Sequence, residues 1–384
     1  MASTSSFSLI MASMYILLSS TLAFSTAQTP PFKKIYVFGD SYTDTGNTET
    51  STGPAAFNHV SNPPYGITFF HHPTNRYSDG RIVIDFVAEA LSLPFIPPYR
   101  DLKADRSHGV NFAVAGGTAI RRGFFLKNNI TFNLVRQSAL QTQLVWYKKI
   151  MESEGCKDMK TTPKECDRFG LRDALVWVGE LGSNDYTSIL GSSISTETIR
   201  RLSIKSLISF LQVLLNKGTK YIVIQGLPAT GCTTFSFTLA SPQDRDKNGC
   251  VSTMNKLARA HNSALKTQLK TLRKKYPQSV IVYADFYKSH VKMIKNPRKY
   301  GFEQRFKACC GYGGGEYNFD VFNTCGSPSS SSYCNSPRKY INWDGAHYTE
   351  AAYKVVADLC LNGTACDPTF DYLLRKKLNW SNMQ

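Results

Sequence analysis

The stretch KIYVFGDSYTDTGN, residues 34–47, decides the fold predicted for this chain. Its apolar half, KIYVF, is typical of a buried strand, and it ends in Gly39, Asp40 and Ser41. In an open parallel sheet, ligands bind outside the carboxyl ends of the strands. The segment therefore has two interpretations: an ordinary turn, in which Ser41 caps a helix and Asp40 is a turn acid, or a serine held at a strand end for chemistry.

Short apolar runs alternate with longer helical patterns through the rest of the chain. A strand followed by a turn is predicted at GVNFAVAG (109–116). Further strands are predicted at ALVWVGEL (174–181), YIVIQG (221–226) and VIVYADF (280–286), and helices at 81–91, 196–218 and 256–275. This alternation predicts a doubly wound α/β domain, with a central parallel sheet and helices on both faces. No repeat or long polar linker divides it, so residues 28–384 are predicted to form a single domain.

One of the seven histidines has the setting of a catalytic base. In NWDGAHYTEAAY (342–353), Asp344 precedes His347 by three residues, with Gly345 between them. One loop can then aim the Asp344 carboxylate at Nδ1 of His347 and leave Nε2 free to take a serine proton. The alternative is that Asp344 caps the next helix. By contrast, His261 lies in a helical pattern and is expected at the surface or the edge of the core.

Acyl transfer also needs hydrogen-bond donors for a developing oxyanion. The backbone N–H of Ser41 is one candidate, at the start of an expected helix, and Gly116 follows the second strand without a side chain to hinder approach. Asn184, in LGSNDY after the third strand, offers a side-chain amide. The alternative is that Gly116 and Asn184 are plain turn residues, and Asp185 is expected to be a turn or capping acid.

No G-x-S-x-G elbow occurs in the chain, which disfavours the ordinary α/β-hydrolase fold. The four blocks around Ser41, Gly116, Asn184 and His347 instead resemble those of the plant GDSL esterase/lipases, a branch of the SGNH hydrolases. YGITF, RYSDGR and GLPATGC add to this resemblance, which extends from about residue 34 to about residue 378. The fold that it implies is a flavodoxin-like αβα sandwich.

The resemblance implies a secreted serine ester hydrolase that acts on carboxylic esters, either acyl or lipid esters, through an acyl-enzyme. Ser41 would be the nucleophile, His347 and Asp344 the other triad members, and Ser41, Gly116 and Asn184 the oxyanion donors. The alternatives are an acyltransferase with the same residues and a non-catalytic protein that binds cell-wall polysaccharide.

Two positions depart from the family pattern. Tyr42 replaces the Leu of the family name, and Tyr348 follows the histidine where Pro or Leu is frequent. Both tyrosines are expected to narrow or polarise the pocket, and so to affect substrate preference.

The first 27 residues carry no charged side chain and contain an apolar run from about residue 7 to 24. Ser25 and Ala27 provide small residues for cleavage, which favours a removed signal peptide over a membrane anchor. Ten cysteines suit disulfides in an oxidising compartment, with Cys156 and Cys166 around one loop. The crowded cysteines of a second loop are Cys309, Cys310, Cys325 and Cys334. Sequons at Asn129, Asn362 and Asn379 predict N-glycosylation of a protein that is secreted to the apoplast or, alternatively, sent to the vacuole.

The net charge of +17 is dispersed along the sequence, which favours a solvated basic exterior. The alternative is that this charge contacts an anionic cell-wall polymer or membrane surface. No RNP, zinc-finger or helix-turn-helix signature accompanies it, so nucleic-acid binding is not expected. No C-x-x-C pair is present either, and neither a metal nor a cofactor is expected.

Overall fold

Strand β1 (Ile35–Phe38) lies inside a six-stranded sheet and pairs with a strand on each side. In the computed structural model, which describes residues 30–49, 52–54, 57–131, 139–153, 173–328 and 332–381, Ile35 is in register with Gly109 on one side and Leu175 on the other. The other sheet strands are β2 (Gly109–Asn111), β3 (Leu175–Val178), β4 (Tyr221–Gln225), β5 (Val280–Ala284) and β10 (Cys366–Asp367). Their spatial order is β10-β5-β4-β3-β1-β2, and only β10 is antiparallel to its neighbour.

This order confirms the predicted flavodoxin-like α/β fold, whose parallel strands run 2-1-3-4-5. The described helices are α1 (Val83–Ala90), α2 (Arg122–Lys127), α3 (Leu140–Ser153), α4 (Ser183–Ser188), α5 (Thr196–Asn216), α6 (Thr234–Leu239), α7 (Ser252–Lys275), α8 (Phe286–Lys295), α9 (Glu350–Leu361) and α10 (Phe370–Ser381). Four short strands lie outside the main sheet: β6 (Gln304–Ala308), β7 (Cys310–Gly311), β8 (Ser332–Tyr333) and β9 (Tyr340–Asn342).

Strands β1 and β3 are apolar at every position because both faces of the sheet are covered. All four residues of β1 are buried, and successive side chains enter different cores. Val37 packs into one core with Trp177, while Tyr36 and Phe38 pack into the other with Val176. Such alternation between two apolar layers explains the continuous hydrophobic runs of the sequence.

Residues at the two ends of helix α5 determine where it begins and where it ends. Ser195 caps its first turn by accepting a hydrogen bond from the Thr198 N–H. The helix ends at Asn216, and Gly218 follows with a φ of +93°, as the predicted glycine stop requires.

One local prediction was wrong. The residues after Ser41 form turns, not a helix, because the Asp44 carboxylate accepts from the N–H groups of Gly46 and Asn47. The second strand ends at Asn111, whose side chain donates to Thr43 O, and Gly116 lies in the turn that was predicted to follow this strand.

Four disulfides confirm the expectation that the cysteines are paired. They are Cys232–Cys250, Cys309–Cys334, Cys310–Cys325 and Cys360–Cys366. Two of them enclose residues 309–334, the stapled insert that the sequence predicts. Cys156 and Cys166 lie outside the described residues.

From Pro31 onward the chain forms one compact unit. The predicted signal peptide, residues 1–27, lies outside the described residues. Across the described part of the chain, every helix is too short or too polar to cross a bilayer. The three sequon asparagines (Asn129, Asn362 and Asn379) all have exposed side chains.

Candidate active site

Ser41, His347 and Asp344 lie together at the carboxyl edge of the sheet. Nε2 of His347 is 2.7 Å from Ser41 Oγ, and Nδ1 is 2.7 Å from Asp344 Oδ2. Asp344 is fully buried, whereas Ser41 and His347 remain 6% and 4% exposed. The three groups therefore form a continuous chain of hydrogen bonds from a shielded carboxylate to a serine that opens on a cavity.

The Asp344 carboxylate is held by several donors. It accepts from the Tyr65 hydroxyl at 2.8 Å, from the His347 N–H at 2.8 Å and from the Ala346 N–H at 3.1 Å. Burial alone would raise the pKa of Asp344, but the attraction of His347 and these hydrogen bonds outweigh it and lower that pKa. Asp344 is consequently ionised, as a group that orients a histidine must be.

The turn that carries the aspartate and the histidine follows β9. Gly345 has a φ of +101°, and an added Cβ there would overlap the ring of Phe319. The cap of α9 is Thr349, which accepts from the Ala352 N–H, so the alternative role of Asp344 as helix cap was wrong. Asp344 is thereby free to face His347.

The stapled insert holds this turn from the other side. The Cys309 N–H donates to Asn342 O at 3.0 Å, and the Cys310 N–H donates to Trp343 O at 2.7 Å. Two adjacent cysteines, each in its own disulfide, thus bind the backbone immediately before Asp344. Phe319, from the same insert, supplies the ring against Gly345.

The Ser41 backbone is fixed by its neighbours. Gln143 accepts from the Gly39 N–H at 3.0 Å and donates to Gly39 O at 2.7 Å, and Asp40 Oδ1 accepts from the Tyr42 N–H at 3.1 Å. Among the described residues, no acceptor is bonded to the Ser41 N–H. That donor is therefore available at the serine, as an oxyanion site needs.

The structure brings Asn184 next to Ser41 as well. Its amide Nδ2 donates to Asp40 Oδ2 at 2.8 Å and to Gly117 O at 3.1 Å. Gly116 lies in the turn beyond β2 with a φ of +72°. The next residue, Gly117, accepts from the Asn184 amide, and a Cβ added there would crowd Asp40. The turn that carries Gly116 is thus bonded to the Asn184 amide.

Asp185 anchors a neighbouring loop. Its carboxylate accepts from the N–H groups of Ala119 and Ile120, at 2.9 and 2.8 Å. Burial raises its pKa to about 7, although these hydrogen bonds work against the rise. Asp185 therefore secures the chain beyond Gly116 and stays apart from the serine.

A cavity of about 720 Å³ opens in front of Ser41 and His347. Its apolar walls include Ile189, Leu190, Leu227, Phe235, Leu239 and Leu257, and Asn184 also lines it. Its volume lies in the usual range for small-molecule sites, and apolar walls with few polar groups are typical of them.

The two tyrosines have different positions. Tyr42 lines the cavity and donates from its hydroxyl to Ala346 O at 2.7 Å. Tyr348 is fully buried behind it, with its hydroxyl 2.7 Å from Nδ1 of His290. Of these two tyrosines, Tyr42 lines the cavity and Tyr348 does not. The expectation for Tyr348 was therefore wrong, because its ring belongs to the core.

His261 and His290 are core residues, which corrects the position expected for His261. Each is fully buried, and burial lowers the pKa of each to about 3, so both are neutral. Their ring nitrogens face the hydroxyls of Tyr186 and Tyr348. Neither contacts Ser41.

Sequence reasoning missed two groups at this site, Tyr65 and Glu180. Tyr65 donates to Asp344, but it lies 279 positions away in the chain. Glu180 is a fully buried carboxyl just after β3. The available signal for Glu180 was a lone acid directly after an apolar strand. Within the described residues, His, Cys, Asp and Glu form no group of three or more that could hold a metal ion.

A family model and the similar proteins all indicate the same family for this chain. The sequence model of the GDSL-like lipase/acylhydrolase family matches residues 35–360. The chain is 52% identical to one GDSL esterase/lipase of Arabidopsis thaliana, over 96% of both chains, and 40% identical to another, over 91% of this chain and 89% of that one. It is also 39% identical to the sinapine esterase of Brassica napus, over 89% of this chain and 88% of the relative. This chain therefore belongs to the GDSL esterase/lipase family of carboxylic ester hydrolases.

Proposed function

We propose that this ester hydrolase works through Ser41, His347 and Asp344 by way of a covalent acyl-enzyme. The observation that carries the proposal is the unbroken line of contacts from Asp344 through His347 to Ser41, with 2.7 Å at each step. Distances of this size allow direct proton transfer between a serine and its base.

In the first half of the reaction, Ser41 Oγ attacks the ester carbonyl while its proton passes to Nε2 of His347. The buried Asp344 carboxylate stabilises the resulting imidazolium. The carbonyl–alcohol bond then breaks, and His347 returns the proton to the leaving alcohol. In the second half, water gives a proton to His347 and attacks the acyl group. As this intermediate collapses, the bond from Ser41 Oγ to the acyl carbon breaks, His347 returns the proton to Ser41 Oγ, and the carboxylic acid leaves.

The oxyanion is stabilised by the N–H groups of Ser41 and Gly116 and by the Asn184 amide. In the resting enzyme, both hydrogens of that amide are bonded, one to Asp40 and one to Gly117 O. The bond to Gly117 O is the longer one, at 3.1 Å. It is the bond that the oxyanion replaces, while Asp40 keeps the amide in place.

Asn184→Ala is expected to lower kcat by about 10²–10³-fold, the usual effect of removing one oxyanion donor. KM should change much less, because the amide acts mainly on the transition state. Steady-state kinetics on a p-nitrophenyl ester would measure both constants. Asn128→Ala is a suitable control, since Asn128 is an exposed asparagine whose amide donates to Phe124 O, away from the cavity. An unchanged kcat in the folded Asn184 variant would remove this residue from the mechanism.

Transfer of the acyl group to an alcohol is the alternative second half-reaction. The cavity, at about 720 Å³, has room for an acyl group and a second small molecule. Short p-nitrophenyl esters should release p-nitrophenol at the same rate with and without an added alcohol, with the free acid as product. If an ester of the added alcohol is instead the main product, the protein is an acyltransferase.

We further propose that residues 1–27 are removed and that residues 28–384 form the secreted enzyme, in the apoplast or the vacuole. The disulfides and the exposed sequons at Asn129, Asn362 and Asn379 support this route. The net charge of +17 would favour retention on an anionic wall polymer or membrane surface.

A further inference from the structure

Two carboxyl groups lie side by side beneath the nucleophile. Asp40 immediately precedes Ser41, Glu180 follows the end of β3, and both are fully buried. Phe38 is in register with Val178, and the Gly179 N–H donates to Phe38 O at 2.7 Å, so Asp40 and Glu180 occupy equivalent positions two residues beyond the ends of paired strands. At these positions the two carboxyl groups can form a hydrogen bond with each other. Two carboxylates cannot hydrogen-bond unless one of them carries a proton, because an ionised carboxylate is only an acceptor.

Asp40 accepts hydrogen bonds from more neighbouring groups than Glu180 does. Asp40 accepts from the Tyr42 N–H and from the Asn184 amide. Glu180 Oε2 accepts from the Ser183 N–H at 3.4 Å. The Ser183 hydroxyl is buried without a hydrogen-bond partner, and among the described residues Glu180 Oε1 likewise has no donor in hydrogen-bonding geometry. A proton on Asp40 would satisfy this oxygen, and a buried acceptor that lacks any donor is costly.

We propose that Asp40 and Glu180 share one proton and act as a carboxyl pair that positions the Asn184 amide beside Ser41. The pair then carries a single negative charge. Asp40 Oδ2 accepts from the amide while the proton joins Asp40 to Glu180, so the position of Asn184 depends on both acids. Asp40 and Glu180 are positioning residues, since neither needs to touch the substrate.

The electrostatic setting agrees with this arrangement. Burial, followed by the charge and hydrogen bond of Glu180, raises the pKa of Asp40 well above its usual value. Burial also raises the pKa of Glu180, although its hydrogen bonds to Ser183 and Asp40 and the attraction of His347 oppose the rise. The other titratable groups that act on the pair are Asp185, Tyr42, Tyr348 and Tyr353. Burial raises the pKa of all four, which keeps the tyrosines neutral.

The direction of the pH effect follows from the raised pKa values. The shared proton is present at low pH and is lost as pH rises through the upper pKa of the pair. A second charge would then appear beside Asn184, where the reaction itself creates a negative oxyanion, and like charges at this range oppose each other. The pair therefore predicts a fall in kcat/KM on the alkaline side.

The Glu180→Gln variant distinguishes the effect of Glu180 on the position of Asn184 from the effect of the shared proton on the pH profile. The glutamine oxygen can accept from the Ser183 N–H, and its amide can donate to Asp40 in place of the shared proton. This variant should keep kcat within about tenfold of the wild type and lose the alkaline fall. Glu180→Ala provides no donor, and we expect kcat to drop by about 10²-fold because Asn184 is misplaced.

The shared proton can also be observed without any activity. Infrared difference spectra of wild type minus Glu180→Gln, recorded across a pH series, should show a protonated carboxyl band that disappears over the same pH range as the alkaline fall in kcat/KM. Asp79 and Asp185, whose pKa values are about 6 and about 7, cancel in this difference because both proteins contain them. Asp79→Asn, which removes another buried acid, should leave that band in place. Absence of the band, or identical pH profiles for wild type and Glu180→Gln, would overturn the proposal.

The effect on Asn184 rests on the proposed function, whereas the infrared band does not. A band with no role for Ser41 or Asn184 in turnover would mean that the proposed mechanism fails while the carboxyl pair stands. The spectra also remain informative if Glu180→Ala does not fold, since they need only the wild type and the glutamine and asparagine variants.

Discussion

Ser41→Ala is expected to reduce kcat for ester hydrolysis by about 10⁴-fold or more, with the protein still folded. In the proposed mechanism Ser41 Oγ forms the acyl bond; the alanine removes this atom, and His347 loses the hydroxyl that lies 2.7 Å from its Nε2. Burst kinetics on a p-nitrophenyl ester, together with mass spectrometry for an acyl adduct on Ser41, would measure the loss. A circular dichroism spectrum and Tm would establish the fold.

The serine and the histidine act as a unit, so their losses should not add. A double variant, Ser41→Ala with His347→Ala, should be about as active as Ser41→Ala alone. Ser279→Ala is a matched control, because Ser279 precedes β5 at the opposite edge of the sheet and donates to Thr219 O. If Ser41→Ala retains more than about a tenth of the activity, another group carries the acyl transfer and the proposed mechanism is wrong.

Asp344→Asn is expected to lower kcat by about 10⁴-fold without disrupting the turn. The asparagine oxygen can still accept from the N–H groups of Ala346 and His347, and its amide can still meet the Tyr65 hydroxyl. The amide would, however, donate to Nδ1 of His347. The ring proton would then move to Nε2, where it blocks removal of the proton from Ser41.

The tautomer provides a direct test of this explanation. Nitrogen NMR of labelled protein should show the ring proton on Nδ1 in the wild type and on Nε2 in Asp344→Asn. Tyr65→Phe removes one donor to Asp344 without affecting the tautomer, so its loss of activity should be much smaller, about tenfold. A wild-type tautomer in Asp344→Asn, or near-normal kcat, would contradict the role assigned to the carboxylate.

The sequence predicts the sheet well because the central strands are buried on both sides. β1 and β3 are continuous apolar runs, and β4 is apolar up to its last residue, Gln225. The change from apolar to polar residues therefore predicts where each strand ends. The chain after Ser41 was harder to predict, since Asp44 organises it through side-chain bonds to two backbone N–H groups. Ser41 occupies a turn there, although its surroundings are compatible with a helix cap.

At the site, sequence pattern identifies residues that are local to a strand end, such as Ser41, or to one turn, such as Asp344 and His347. It does not reveal partners that only folding brings together. Asp40 and Asn184 are 144 positions apart, and Tyr65 and Asp344 are 279 apart. Neither Glu180 nor Tyr65 has a spacing that relates it to its partner, so the structure was needed to find these contacts.

The neighbouring cysteines of the stapled insert have a practical consequence for producing this enzyme. Cys309 and Cys310 are adjacent, yet they pair with Cys334 and Cys325 respectively, and four cysteines can be joined in three ways. A swapped pairing would displace the N–H groups that hold Asn342 and Trp343, next to Asp344. A recombinant host with a reducing cytoplasm is thus a poor choice, and one with an oxidising compartment and a disulfide isomerase is a good one.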